Sequence, residues 1–368
     1  MGVLKRSLLF AVLLVISILI LLQGQVAHAA ERSTTPTTTI LGIQSDAQTA
    51  YPGIGWVRLP YTTCGNSNLS GQTLRNTIRT YHSQGIRVLL TLCQPSLSGL
   101  LDPAYLTDAA QGRPDAEQCG NEQIKYDPPW TRYVPPDLYA RFFDLCVSTM
   151  HAVRPAAPVL LGSLDPHVVG PDNQALANQV AYLNAVQNAM NTVVHPGGNW
   201  SWQAQQIGLI DTWHNGYPLS TDNNLYQLFV YWAQQFQVSL TNGQLAQHLW
   251  VVEGTGCVGG CGLNGNAQVA ISHVITLITD VLTTLKYGIA FFYFTGKDFV
   301  VNNAVTPMGV LDINGHPKPL REDLPMGART LAMSCSSGTV VVAQQEQLLA
   351  SLYSGCQLPS NYVSILES

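Results

Sequence analysis

Short apolar runs rich in branched and aromatic residues recur eight times along this chain, and stretches with helical spacing separate most of them. The runs are Thr39–Ile43, Gly55–Leu59, Ile86–Leu92, Ala116–Asn121, Pro158–Gly162, Ile207–Trp213, His248–Glu253 and Gly288–Thr295. Between them the spacing predicts helices over 69–84, 103–110, 136–153, 173–194, 224–241 and 267–285, with a last one after Pro319. The first connection, Asp46 to Pro52, is short for a full helix. Strands alternating with helices of this length build parallel β-α-β units. Eight such strands, apolar on both faces, predict the α/β class and a closed (β/α)8 barrel. An open, doubly wound sheet would carry a glycine-rich phosphate turn after its first strand. Here that strand ends Gly42-Ile43-Gln44-Ser45-Asp46, which lacks it.

The ends of the chain read differently. Lys5 and Arg6 precede an apolar run from Leu8 to Leu22, broken only by Ser17, and Ala27-His28-Ala29-Ala30 follows. Basic, apolar and small-residue regions in that order are what a signal peptidase reads, so residues 1–30 are expected to be a cleaved secretory signal. The apolar run is shorter than the roughly 20 residues of a spanning helix. An uncleaved segment would instead hold the protein at the cell surface. Residues 31–39, ERSTTPTTT, read as a short extended tether. Residues 40–330 then form the barrel and 331–368 a C-terminal extension stapled by Cys335 and Cys356, with a short helical stretch around 344–352.

Charged residues make up 11% of the chain, well below the roughly 25% of an average soluble domain. A net charge of −5 with scattered lysines argues against a nucleic-acid or anionic-membrane partner, since both need a dense basic patch. An amide-rich, uncharged surface suits a neutral substrate such as a glycan; the chain is expected to act as a monomer. Eight cysteines in an exported chain imply disulfides. Nearest-neighbour pairing joins Cys64–Cys93, Cys119–Cys146, Cys257–Cys261 and Cys335–Cys356, one of roughly 105 possible connectivities. A zinc site needs clustered cysteines or nearby histidines. Only Cys257-Val258-Gly259-Gly260-Cys261 comes close, so neither metal nor cofactor is expected.

The chain has seven glutamates, and between residues 118 and 321 only Glu122 and Glu253 occur. Both close predicted strands, the fourth and the seventh, and this fold builds its catalytic face from such strand ends. Hydrolysis of a glycosidic bond needs two carboxyl groups, one to protonate the leaving oxygen and one to attack or to activate water. Arg58, on the second predicted strand, is a candidate to hold one of them ionised, because a buried arginine needs an anionic partner. The competing pairing is with Asp46 or a surface acid. Glu117 lies five residues before Glu122, on the opposite strand face by alternation, and is expected to be structural.

These residues bring a family into view. Gln118-Cys119-Gly120-Asn121-Glu122-Gln123 resembles the Gly-Asn-Glu-Pro motif of clan A glycoside hydrolases, which carry catalytic glutamates on barrel strands four and seven. Val251-Val252-Glu253-Gly254-Thr255-Gly256 is similar to their strand-seven motif, and Arg58 matches their strand-two arginine. Ile210-Asp211-Thr212-Trp213-His214-Asn215-Gly216-Tyr217 resembles their Asp…His-x-Tyr signature. Met308-Gly309-Val310-Leu311-Asp312, with Pro317-Lys318-Pro319, is similar to the segment after strand eight. The likeness spans roughly residues 40–325, with the motifs in register.

The resemblance implies a retaining β-glycosidase or endo-β-glycanase acting on β-linked oligosaccharide or polysaccharide. Glu122 would be the acid/base, Glu253 the nucleophile, and Asn121 the ligand of the sugar 2-hydroxyl. His214 and Tyr217 would border the cleaved bond, and Tyr217 would donate to Glu253. Trp213, Trp130, Trp202 and Tyr293 are candidate sugar platforms, although buried aromatics at strand ends are more often plain core. Three departures stand out: Gln123 replaces the usual proline, two residues rather than one separate His214 from Tyr217, and Tyr293 stands where a tryptophan is usual. The alternative is a silent barrel that binds a glycan at the cell surface without cutting it.

Overall fold

The computed structural model describes residues 41–44, 54–65, 67–125, 133–165, 172–210, 224–241, 243–254, 284, 287–301, 304–306, 309–317, 331–342 and 356. Eight strands close into an all-parallel barrel in sequence order, with β8 pairing back onto β1. They are β1 (Leu41–Gln44), β2 (Trp56–Pro60), β3 (Arg87–Leu92), β4 (Ala116–Asn121), β5 (Val159–Leu164), β6 (Gln206–Ile210), β7 (Leu249–Gly254) and β8 (Ala290–Tyr293). All eight runs read from the sequence are therefore strands of one (β/α)8 barrel.

The described helices are α1 (Gly71–Ser83), α2 (Pro103–Gln111), α3 (Pro136–Val153), α4 (Asp172–Ala189) and α5 (Asn224–Phe236). Their starts follow local chemistry. Asp102 caps α2 by accepting from the Ala104 N–H, and Pro103 occupies the first turn, where its missing donor costs nothing. On α1, Leu74, Ile78 and Tyr81 are buried at helical spacing, and on α3 Tyr139, Phe142, Phe143, Cys146 and Met150 form the inward stripe. Helix α4 ends in a single π turn at Met190–Val194. The helices expected over 267–285 and after Pro319 lie outside the described residues.

Two cores result from the strand period of two. Val57, Leu90, Cys119, Leu161, Leu209, Val251, Phe291 and Tyr293 face the helices. Trp56, Leu89, Ala116, Leu160, Trp250, Val252, Ala290 and Phe292 fill the barrel interior. Trp56 meets Trp250 edge-on at 5.4 Å, and Phe292 stacks on Trp250 at 6.2 Å. These rings plug the barrel, as side-chain layers do in this fold, and leave the polar positions at its upper, C-terminal mouth.

After β8 the chain forms a hairpin, β9 (Phe299–Val301) and β10 (Ala304–Thr306). It then returns to bury Val310 and Leu311, whose N–H groups donate to Thr295 and Gly296. The extension contributes a second antiparallel hairpin, β11 (Leu331–Cys335) and β12 (Gly338–Val342), an element absent from the sequence reading. Met333 and Cys356 belong to the same apolar cluster as the helix-facing barrel residues. Disulfides join Cys64–Cys93, Cys119–Cys146 and Cys335–Cys356. Residues 1–39, the helical stretch expected around 344–352, and Cys257 and Cys261 lie outside the described residues.

Candidate active site

The strands do not alternate strictly at their C-terminal ends, and those departures build the site. Along β7, Leu209 of β6 opposes Val251, yet the next β6 residue, Ile210, opposes Glu253. On the other side Val251 opposes Phe291 and Gly254 opposes Tyr293. One extra residue is thus inserted in β7. Strict alternation would send Glu253 to the helix side with Val251; the bulge re-aims it into the barrel. The same shift occurs in β5 between Leu161 and Leu164, where it turns Ser163 inward. In β4 the turn is made at Gly120, whose φ of 99° is open only to glycine at low cost.

Arg58 sits at the centre of the resulting cluster, 3% exposed. Its Nε donates to Thr91 Oγ1 at 2.9 Å and Gln118 Oε1 at 3.2 Å. One terminal nitrogen donates to Gln44 Oε1 and to Glu253 Oε1, the latter at 2.5 Å. The other donates to Asn121 Oδ1 at 2.7 Å. A guanidinium has five N–H donors in a fixed fork, and this one spends them on four strands besides its own. The pairing with Glu253, rather than with Asp46 or a surface acid, is the one observed.

Asn121 Oδ1 also accepts from Ser163 Oγ at 2.8 Å and Gln118 Nε2 at 3.2 Å. Three donors on one atom fix which end of the amide is oxygen. Its NH2 end is then a donor of set orientation. Gln94 clamps the Asn121 backbone from both sides, accepting from its N–H at 3.1 Å and donating to its carbonyl at 3.0 Å.

Glu122 follows with a left-handed φ of 49°, a conformation that costs a non-glycine residue about 1–3 kcal/mol and concentrates at functional sites. It is held by Ser163 Oγ, which accepts from the Glu122 N–H at 3.1 Å, and by Lys125. The Lys125 ammonium lies 3.3 Å from Glu122 Oε1 and 3.9 Å from Asp165 Oδ2. Both glutamates are 8% exposed. Gln123, where the family motif has proline, is fully buried. Its Nε2 donates to the Gly162 carbonyl at 3.2 Å, and its own carbonyl accepts from Val134 N–H at 2.8 Å. The substitution therefore adds a side-chain tie between β4 and β5.

Two of the candidate sugar platforms are core residues instead. Tyr293 is completely buried and belongs to the helix-facing cluster, so its ring does not reach the mouth. Phe292 points inward instead and is part of the plug. The half-buried aromatic at that strand end is Phe294, edge-on to Phe299 at 5.7 Å. Trp202 is likewise core, crossing Trp232 at 6.3 Å. Trp130, Trp213, His214 and Tyr217 lie outside the described residues. Gln44, Thr91, Gln94, Gln118, Lys125, Ser163 and Asp165 were not singled out from sequence. Polar residues at strand ends were the available signal for most of them.

Glu117 faces α3 rather than the mouth. Burial pushes its carboxyl up to about 8. Its Oε1 lies 3.2 Å from Cys146 Sγ. A disulfide sulfur has no proton to give, so that contact calls for the proton on the carboxyl. Glu117, Cys119 and Cys146 form one cluster of metal-ligand type among the described residues, but its two sulfurs are joined to each other and offer no thiolate.

No family model and no curated protein matches the chain. Among solved structures, a family 39 glycoside hydrolase from the gut symbiont Bacteroides cellulosilyticus is similar at a TM-score of 0.50 and 12% identity, over 83% of this chain and 68% of that one. A glucosidase from Croceicoccus marinus reaches 0.49 at 10% identity, over 83% and 70%. A GH128 endo-β-1,3-glucanase from Sorangium cellulosum reaches 0.47 at 14% identity, over 78% and 98%. At such identities the first likeness is one of fold: the barrel architecture is shared with a known glycoside hydrolase.

Proposed function

We propose that this chain is an exported glycoside hydrolase that cleaves β-linked sugars by a retaining double displacement. Two carboxylates and a fixed arginine gathered at the C-terminal mouth of a closed barrel carry this reading. Glu253, facing the Arg58 guanidinium at 2.5 Å, attacks the anomeric carbon. Glu122 gives its proton to the departing glycosidic oxygen as the bond breaks. Water then enters, Glu122 takes its proton, and the glycosyl–Glu253 ester is cleaved with net retention. The oriented NH2 of Asn121 donates to a hydroxyl of the bound sugar.

Three disulfides among the described residues suit an oxidising compartment. No helix among the described residues is long and apolar enough to cross a membrane. Residues 1–30 serve as the export signal, 31–39 as tether, 40–330 as the catalytic barrel and 331–368 as an extension packed on it. The chain acts as a monomer without a cofactor.

The second reading, a barrel that binds glycan without cutting it, draws on Lys125. An ammonium group 3.3 Å from Glu122 occupies the place where a proton donor would have to hold its proton. Product release from β-glucans, xylans, mannans, galactans and aryl β-glycosides separates the two. Wild type is expected to cleave at least one of them, and Glu122→Gln and Glu253→Gln, checked for folding, to lose at least 100-fold of that rate. Binding without cleavage by wild type would hand the site to the second reading.

A further inference from the structure

The turn that carries Glu122 ends on a cation. Lys125 donates its backbone N–H to the Glu122 carbonyl at 2.9 Å, which folds the chain back and sets its ammonium 3.3 Å from Glu122 Oε1. The same ammonium lies 3.9 Å from Asp165 Oδ2, so one cation holds two carboxylates close together. Asp165 follows β5, two residues beyond Ser163, and its side chain has no exposed surface. Its backbone is pinned from α4, where Gln179 Nε2 donates to the Asp165 carbonyl at 2.5 Å. A carboxylate so enclosed needs a cation beside it to keep its charge, and Lys125 stands there. The double displacement proposed above gives neither Lys125 nor Asp165 a task.

That reaction needs Glu122 in two charge states. It is neutral when it protonates the leaving oxygen and ionised when it takes a proton from water. A lone ammonium at 3.3 Å would favour only the second state, because an opposite charge this close pulls a carboxyl toward its anion. Asp165 changes the balance. With Lys125 it makes a pair of zero net charge, so Glu122 meets attraction from one member and repulsion from the other. The ammonium also keeps a carboxylate to face in either state of Glu122. The nearest neighbours on β3 and β5, Gln94 and Ser163, are neutral. Across the mouth Glu253 is paired with Arg58 at 2.5 Å. Tyr133, on the chain returning past Gln123, packs edge-on against Tyr182 at 6.2 Å.

We propose that Lys125 and Asp165 are positioning residues that together set when Glu122 gives up its proton, Lys125 favouring the carboxylate and Asp165 the acid. The assignment rests on Glu122 as the acid/base. The sign of each effect follows from charge alone, so it holds whatever other contacts the three side chains make. An ammonium beside the proton donor, which favours a silent barrel when taken singly, becomes with Asp165 part of the working site.

Carboxyl-carbon NMR of the full chain, labelled at glutamate, tests this without any substrate. The signal missing in Glu122→Gln identifies Glu122. Lys125→Gln should raise the pH at which that carboxyl titrates by about 1–3 pH units. Asp165→Asn should lower it, and the double variant should fall between the two. Lys125→Arg keeps the cation and should titrate as wild type, which separates charge from packing. The alkaline limb of kcat/KM on a β-glycoside with a poor leaving group should move in the same directions, and it should vanish with a dinitrophenyl aglycone, which departs without a proton. No displacement in either single variant, or displacement of both the same way, would overturn the pairing. Opposite displacements in a chain that cleaves no glycoside would uphold the pairing and remove the acid/base reading, so the two failures are told apart.

Discussion

Behind the barrel wall, Glu117 has one carboxyl oxygen without a hydrogen-bond partner among the described residues. Its folded carboxyl titrates near 8, against about 4.3 in an unfolded chain. A raised folded value means the native state holds a proton that the unfolded state has already released. This contribution to stability is therefore full below about pH 4 and is lost as pH rises through 8. The slope across that window is at most about 1.4 kcal/mol per pH unit. Glu117→Gln should abolish it, so denaturant midpoints of variant and wild type should diverge steadily between pH 5 and 8, with the variant more stable at the alkaline end. Parallel curves would mean that Glu117 is ionised in the native state. The sequence reading placed Glu117 on the face opposite Glu122 by counting alternation, and the carboxyl does face α3. Its proximity to the Cys119–Cys146 bridge follows from the expected pairing, because Glu117 and Cys119 lie two apart on one strand face; the dry surroundings that raise its carboxyl came from the packing of α3 and were not legible.

Strands β4, β5 and β7 each change parity near their last residues, and Gly162 lies where two of those changes meet. A Cβ there would stand 2.3 Å from Gln123 Oε1, 2.8 Å from the Gly120 carbonyl carbon and 2.9 Å from the Cys119 carbonyl oxygen. Two of the three are backbone and cannot swing aside. Gly162→Ala should cost about 1–3 kcal/mol and displace the Gly120–Glu122 turn, so kcat should fall more than KM rises; an unchanged kcat would show that the turn is not part of the working site. The eight strands were readable because each is apolar on both faces. A bulge is not readable in the same way, since it is a single-residue slip within a run whose residues all favour burial. Tyr293 is a different case: the family resemblance, not counting, set it at the mouth, while the strict alternation of β8 puts Phe292 in the plug and Tyr293 among the helix-facing residues. Arg58 and the two glutamates stood out because charges are scarce; their glutamine, serine and threonine partners did not, because such residues cover the whole chain.

Among the described residues, disulfides close segments of 29, 27 and 21 residues. Loops of this length are worth roughly 2–4 kcal/mol per bridge. Full reduction should lower the thermal midpoint by many degrees, and protection should be lost most where the Cys119–Cys146 bridge ties β4 to α3. A midpoint unmoved in excess reductant would show that packing alone holds the barrel. Below the parity changes the strands obey one rule of burial, and above them the backbone irregularity decides which side chain is presented. Chemistry and stability are therefore wired together at the tips: Asn121 and Glu253 are both tied to the one buried guanidinium of Arg58, so exchanging either alone strands a buried charge, and a new chemistry at this mouth has to be introduced at several strand ends at once.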